Sequence, residues 1–199
     1  MAETRKLAAI LVSDVVGYSR LTGADEDRTL ARLRALQSDL IDPTVAVHHG
    51  RVVKRTGDGH LIEFRSVVDA VRCAIEVQNG MVERNAGVPP ERRIEFRVGI
   101  HLGDVVEESD GDLMGDGVNV AARLEGVADR GGICISRQVL DQIEGKLDLN
   151  YRELGSTESQ EHRQAGGGLC DSPRCRGISG LPISRHRKSQ AGDSLLQGA

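Results

Sequence analysis

Two short stretches place a carboxylate where metal chemistry could use it. Leu7-Ala-Ala-Ile-Leu-Val-Ser-Asp14-Val15 and Val52-Val-Lys54-Arg-Thr-Gly57-Asp58-Gly59 each bring an aspartate to the end of an apolar, β-branched run close to glycine. A strand that delivers a carboxylate at its tip and then turns sharply has this pattern. Two such carboxylates on neighbouring strands can hold a pair of hard divalent cations, which take oxygen ligands and accept phosphate as a further ligand. Val15-Val-Gly17-Tyr18-Ser19 follows Asp14 directly, and its successive backbone N–H groups could form an anion nest for a triphosphate. The chemistry implied is metal-assisted work on a nucleotide. Each motif also has a plainer reading, Asp14 as a turn cap and Gly57-Asp58-Gly59 as a tight hairpin, because Asp-Gly is a turn signal by itself.

Two further pairs suit the same chemistry. Asn119 and Arg123 stand at i and i+4, so on a helix they face the same way. An amide and a guanidinium there suit the charge that develops on a phosphoryl group in transfer; the alternative is an exposed polar stripe. Lys54 can donate to adenine N1, and Asp112 can accept from the exocyclic amino group. Guanine presents a carbonyl and an N–H at those edges and would be mismatched. Taken singly, Lys54 also reads as a solvated lysine and Asp112 as one more acid in an acidic loop.

The combination resembles the catalytic domain of class III nucleotidyl cyclases, close to the bacterial adenylate cyclase members. Three stretches carry the likeness: Ser-Asp14-Val-Val-Gly-Tyr-Ser, Lys54-Arg-Thr-Gly-Asp58-Gly, and Asp112-Leu-Met-Gly-Asp-Gly-Val-Asn119-Val-Ala-Ala-Arg123-Leu. The likeness covers about residues 5–154, which it implies are the catalytic domain, and fills six functional positions in order. The resemblance implies that Asp14 and Asp58, with the Val15 carbonyl, bind two magnesium or manganese ions per site. It implies that Lys54 and Asp112 select adenine, Asn119 orients the ribose and Arg123 stabilises charge at the α-phosphate. The reaction implied is attack of the ATP 3′-hydroxyl on its own α-phosphorus, releasing pyrophosphate and 3′,5′-cyclic AMP. Members of the family act as two-fold dimers with sites at the interface. Because one chain carries both sets of residues, a homodimer would suffice.

The elements that must position these residues follow from periodicity. Leu7–Val12 reads as a buried strand, and Leu30, Leu33, Leu40 and Ile41 mark a helix from about Asp25 to Ile41, stopped by Asp42-Pro43. Gly50–Phe64 reads as a hairpin. Ser66 reads as the N-cap of a helix carrying Val67, Val71, Ala74, Gln78 and Met81 along one stripe. Ile94 to Leu102 alternates as a strand, and Glu107–Gly117 reads as an acidic loop feeding a helix at Val118–Glu125. A strand at Gly132–Ser136, a helix at about Gln138–Gly145 and a strand at Tyr151–Leu154 close the series. The order suggests an α+β, ferredoxin-like split βαβ sandwich on an antiparallel sheet.

The 199 residues are 28% charged and 39% hydrophobic with net charge −4, as in a globular domain with a short appendage. That charge offers no basic field for nucleic acid and no polybasic membrane patch. The apolar run at Leu7–Val12 is too short for a span and has no cleavage site, so a cytoplasmic location is expected. Cys73 and Cys134 read as small core residues, and the Cys170/Cys175 spacing matches no strong zinc pattern. Residues 155–199 lack periodicity and are expected to be a disordered or aberrant tail. Family members continue past the last strand into a closing hairpin whose basic residue reaches the ATP phosphates. Here no lysine occurs between Lys146 and Lys188. Three functions compete: an adenylate cyclase, a cyclase-like nucleotide-binding or regulatory domain with little turnover, and a guanylate cyclase, which Lys54 and Asp112 disfavour.

Overall fold

The computed structural model describes residues 4–156 and 174–178. In chain order the elements are β1 (Thr4–Val15), α1 (Tyr18–Ala24), α2 (Glu26–Leu36), α3 (Asp42–Val47), β2 (Arg51–Thr56), β3 (Gly59–Phe64) and α4 (Val67–Arg84). Then come β4 (Phe96–Glu107), β5 (Leu113–Met114), α5 (Asp116–Val127), β6 (Ile133–Ile135), α6 (Arg137–Ile143), β7 (Tyr151–Ser156) and β8 (Arg174–Ile178). The strands form one sheet in the order β2-β3-β1-β4-β6-β8-β7, with β5 on β4. All pairings are antiparallel except β4 with β6. The first four strands and their connecting helices form the α+β, split βαβ unit that the sequence predicts.

Alternation along β1 divides the core between the two sheet faces. Ala9, Leu11 and Val15 pack with α2, α3, α4 and α6, whereas Ala8 and Ile10 pack with Ala121 of α5. Helix α4 begins where Ser66 Oγ accepts from the Asp69 N–H, and it buries the predicted stripe. Among the described residues no helix is long and apolar enough to cross a membrane.

Four features differ from the sequence expectation. Helix α1 is a separate short helix directly after Asp14. The single helix to Ile41 is instead α2, a π-helical turn over Gln37–Ile41, and α3, which runs through Pro43. Proline is tolerated there because the first helical turn does not use its missing N–H. Within the predicted loop, Leu113–Met114 pairs with Val106–Glu107, and α5 starts at Asp116; a two-residue strand is too short to show a period. Finally, no strand is predicted beyond Leu154, yet β7 reaches Ser156 and β8 lies between β6 and β7, bonded to both. Arg-Cys-Arg-Gly-Ile has no alternation to reveal it; backbone partners on both sides make it a strand. The remainder of the predicted tail lies outside the described residues.

Candidate active site

The β2–β3 turn carries Asp58 to the end of β1. The hairpin register leaves only Gly57 and Asp58 as the loop, and β1 pairs Ser13 with His60. A Cβ on Gly59 would lie 2.7 Å from the Ser13 carbonyl oxygen, so glycine is what lets the turn approach β1. Asp14 and Asp58 therefore share one end of adjacent strands. Burial, and then the Asp14 carboxylate beside it, hold Asp58 above the usual carboxylate range. A partly desolvated pair of like charges is suited to a cation, which relieves both costs. Among the described residues no group of three or more His, Cys, Asp or Glu side chains is arranged to hold a metal. Two carboxylates suit magnesium, which keeps several waters and takes phosphate oxygens to complete its shell. Val15 ends β1 opposite Phe96.

Sequence reasoning missed Arg97. It lies opposite Asp14 in the β1–β4 register and donates from Nη2 to Asp14 Oδ2 at 2.9 Å. Its Nε is 2.9 Å from Glu125 Oε1, an ion pair that is not aligned as a hydrogen bond. Burial first, and then Asp14 and Asp58, raise Glu125, while Arg97 opposes them. The one available signal was an arginine inside the apolar alternation of β4.

Beyond Asp14 the chain turns at Gly17, with φ 66°, into α1. The N–H groups of Tyr18 and Ser19 fall in the first helical turn, which has no intrahelical acceptor for them. The guanidinium of Arg20 covers this turn, its Nε 3.5 Å from where a Gly17 Cβ would stand.

Helix α5 presents Asn119 and Arg123, both exposed, whose side chains have no hydrogen-bond or ion-pair partner among the described residues. Its position is set by Gly99 of β4, where a Cβ would meet the Ala121 carbonyl oxygen at 2.2 Å. Lys54 Nζ donates to Asp112 Oδ2 at 2.7 Å, and the Leu113 N–H donates to Asp112 Oδ1 at 2.9 Å. This bond raises Lys54 and lowers Asp112 from their ordinary values. Thus Asp14 meets Asp58, and Lys54 meets Asp112. Among the described residues no hydrogen bond or ion pair joins the aspartate pair to Lys54, Asp112, Asn119 or Arg123.

The profile of the adenylate and guanylate cyclase catalytic domain matches residues 1–165. A Rhizobium meliloti (strain 1021) protein named "Putative adenylate cyclase 3" is 49% identical over 154 residues, 77% of this chain and 26% of that protein. An adenylate cyclase of Streptomyces coelicolor is 32% identical over 136 residues, 68% of this chain and 34% of that protein. The chain therefore spans about a quarter to a third of the length of these relatives. The crystal structure of an adenylate/guanylate cyclase/hydrolase from Silicibacter pomeroyi superposes with a TM-score of 0.79 at 37% identity, covering 89% of this chain and 98% of that one.

Proposed function

The chain belongs to the adenylate and guanylate cyclase catalytic-domain family, and on that premise we propose that it converts ATP to 3′,5′-cyclic AMP and pyrophosphate at a site shared by two copies. The observation that carries the choice of ATP is the Lys54–Asp112 pair at 2.7 Å, a donor beside an acceptor in the order adenine requires. A shared site is supported by the exposed Asn119 and Arg123 side chains, which among the described residues make no hydrogen bond or ion pair to the aspartate pair of their own chain.

Asp14 and Asp58, with the Val15 carbonyl, would hold two magnesium or manganese ions, which when bound would acidify the 3′-hydroxyl and neutralise phosphate charge. Lys54 donates to adenine N1 and Asp112 accepts from the amino group. Asn119 orients the ribose so that its hydroxyl meets the α-phosphorus in line, and Arg123 donates to the α-phosphate oxygens as charge develops there. Arg97 can turn its Nη2 edge from Asp14 to a phosphate oxygen while Glu125 keeps hold of Nε. The turn at Gly17, Tyr18 and Ser19, with Arg20 above it, receives the outer phosphates. These two arginines provide cations that do not depend on a closing-hairpin lysine.

A second reading, a nucleotide-binding or regulatory domain with little turnover, rests on the lack of a lysine between Lys146 and Lys188. Purified protein with manganese and either ATP or GTP separates the possibilities. Cyclic AMP from ATP, lost with chelator and exceeding cyclic GMP from GTP, supports the first reading. Tight ATP binding without product supports the second, and a preference for GTP overturns the base assignment.

A further inference from the structure

We infer that Arg51 is a positioning residue that sets the base-reading carboxylate of Asp112 through the Gly111 carbonyl; this rests on the proposed reading of adenine by Lys54 and Asp112. Arg51 Nη1 donates to Gly111 O at 3.0 Å, across sixty residues of sequence. The loop it holds is already compact. Glu108 N–H donates to Asp112 O at 3.0 Å, Gly111 N–H to Glu108 O at 3.0 Å, and Asp112 N–H to Asp110 Oδ1 at 3.0 Å. The β4–β5 pairing roots this turn on the sheet at Val106–Glu107, and Arg51 adds a tie from β2 at its far end, on the carbonyl just before Asp112.

The guanidinium is itself aimed by two glutamates. Glu63 Oε2 accepts from Arg51 Nε at 2.9 Å and from Nη2 at 2.7 Å, and Glu107 Oε1 accepts from Nη2 at 2.9 Å. Lys6 Nζ holds the other oxygen of each glutamate, at 2.6 Å for Glu63 and 2.7 Å for Glu107. Exposed ion pairs add little stability singly, but here Glu63 is only 11% exposed and the four side chains form a closed ring. The ring fixes the planar fork so that its remaining edge points at Gly111.

A bulge in β2 explains why one strand can reach the loop twice. The β2–β3 register passes from Val52 opposite Ile62 to Lys54 opposite Leu61, so Val53 is an extra residue. In a regular strand Arg51 and Lys54, three apart, would point to opposite faces. Their partners Glu63 and Leu61 are two apart and share a face, so with the bulge Arg51 and Lys54 share it too. Re-aiming a side chain is a known use of such bulges. Both halves of the base clamp consequently hang from β2, Lys54 directly and Asp112 through Arg51.

The test compares Arg51→Met, Arg51→Lys and the control Asp112→Ala in the full chain. Readouts are KM and kcat for ATP and GTP, binding of 3′-deoxy-ATP and 3′-deoxy-GTP by calorimetry, and amide exchange at residues 108–113. Arg51→Lys retains the charge for Glu63 and Glu107, so it should keep the melting temperature, but a point charge cannot also hold the Gly111 carbonyl in the fork's geometry. Both Arg51 variants should lose about tenfold in ATP-over-GTP preference, through KM rather than kcat, with faster exchange in the loop. If Arg51→Met does not fold, Arg51→Lys decides alone. Unchanged preference in the Arg51 variants, with preference lost in Asp112→Ala, overturns the positioning role. Unchanged preference in Asp112→Ala overturns the base reading and this inference with it.

Discussion

His60 should make the protein lose stability between pH 6.5 and pH 4. The imidazole is 2% exposed beneath the Asp14–Asp58 site, with Nδ1 3.2 Å from Ser13 Oγ and Nε2 3.4 Å from Gln37 Nε2. An amide nitrogen can only donate, so His60 Nε2 must accept and Nδ1 carries the proton toward Ser13. Protonating Nε2 would set two donors face to face in a buried site. Burial, and secondarily Arg55, push the pKa down to about 4 from 6.5. The folded state therefore resists a proton that the unfolded chain accepts. The stability from a neutral His60 is complete above pH 6.5 and drains away as pH falls toward 4. At 1.36 kcal/mol per unit the loss is about 3 kcal/mol over the whole interval. Urea unfolding at fixed protein concentration, in half-unit steps from pH 7.5 to 5, measures the slope for wild type and His60→Gln. Carboxylates and His101, which burial also lowers, contribute to both proteins, so the difference isolates His60. Wild type should show an extra slope approaching one proton, and the variant should be flatter though less stable throughout. Parallel profiles would refute the reasoning.

Two further outcomes follow from α5. Gly99→Ala forces a Cβ against the Ala121 carbonyl and must move the helix, costing about 1–3 kcal/mol in chemical denaturation and depressing kcat more than nucleotide affinity. Arg123→Ala, at an exposed position without a partner among the described residues, should leave the melting temperature unchanged while steady-state assays show kcat reduced by about 10²–10³.

What could be read from the chain depended on how local the determining physics was. The β2–β3 hairpin was legible because Gly-Asp-Gly specifies its own turn, and α4 because Ser66 and a long apolar stripe mark its start and face. Lys54 and Asp112 lie 58 residues apart, and base-edge chemistry with the resemblance paired them though nothing local could; the structure brings them to 2.7 Å. Arg97 was not legible, since its role comes from lying opposite Asp14, a fact of strand register rather than of any nearby residue. The same holds for Arg51, whose direction depends on the bulge at Val53. The π-turn at Gln37–Ile41 and strand β8 were missed because tertiary partners, His60 in one case and two flanking strands in the other, accompany conformations that no periodicity announces.

The central claim, a cyclase site assembled from two copies, is tested most directly by complementation. Asp14→Ala removes the metal set and Arg123→Ala removes the transition-state set, so each chain alone should yield no more than a small fraction of wild-type cyclic AMP from manganese and ATP. Mixed after co-refolding, with heterodimers confirmed by sedimentation of differently tagged chains, they should recover activity, because one of the two sites in each mixed dimer keeps both sets intact. Confirmed heterodimers that form no more cyclic AMP than either variant alone would contradict the account.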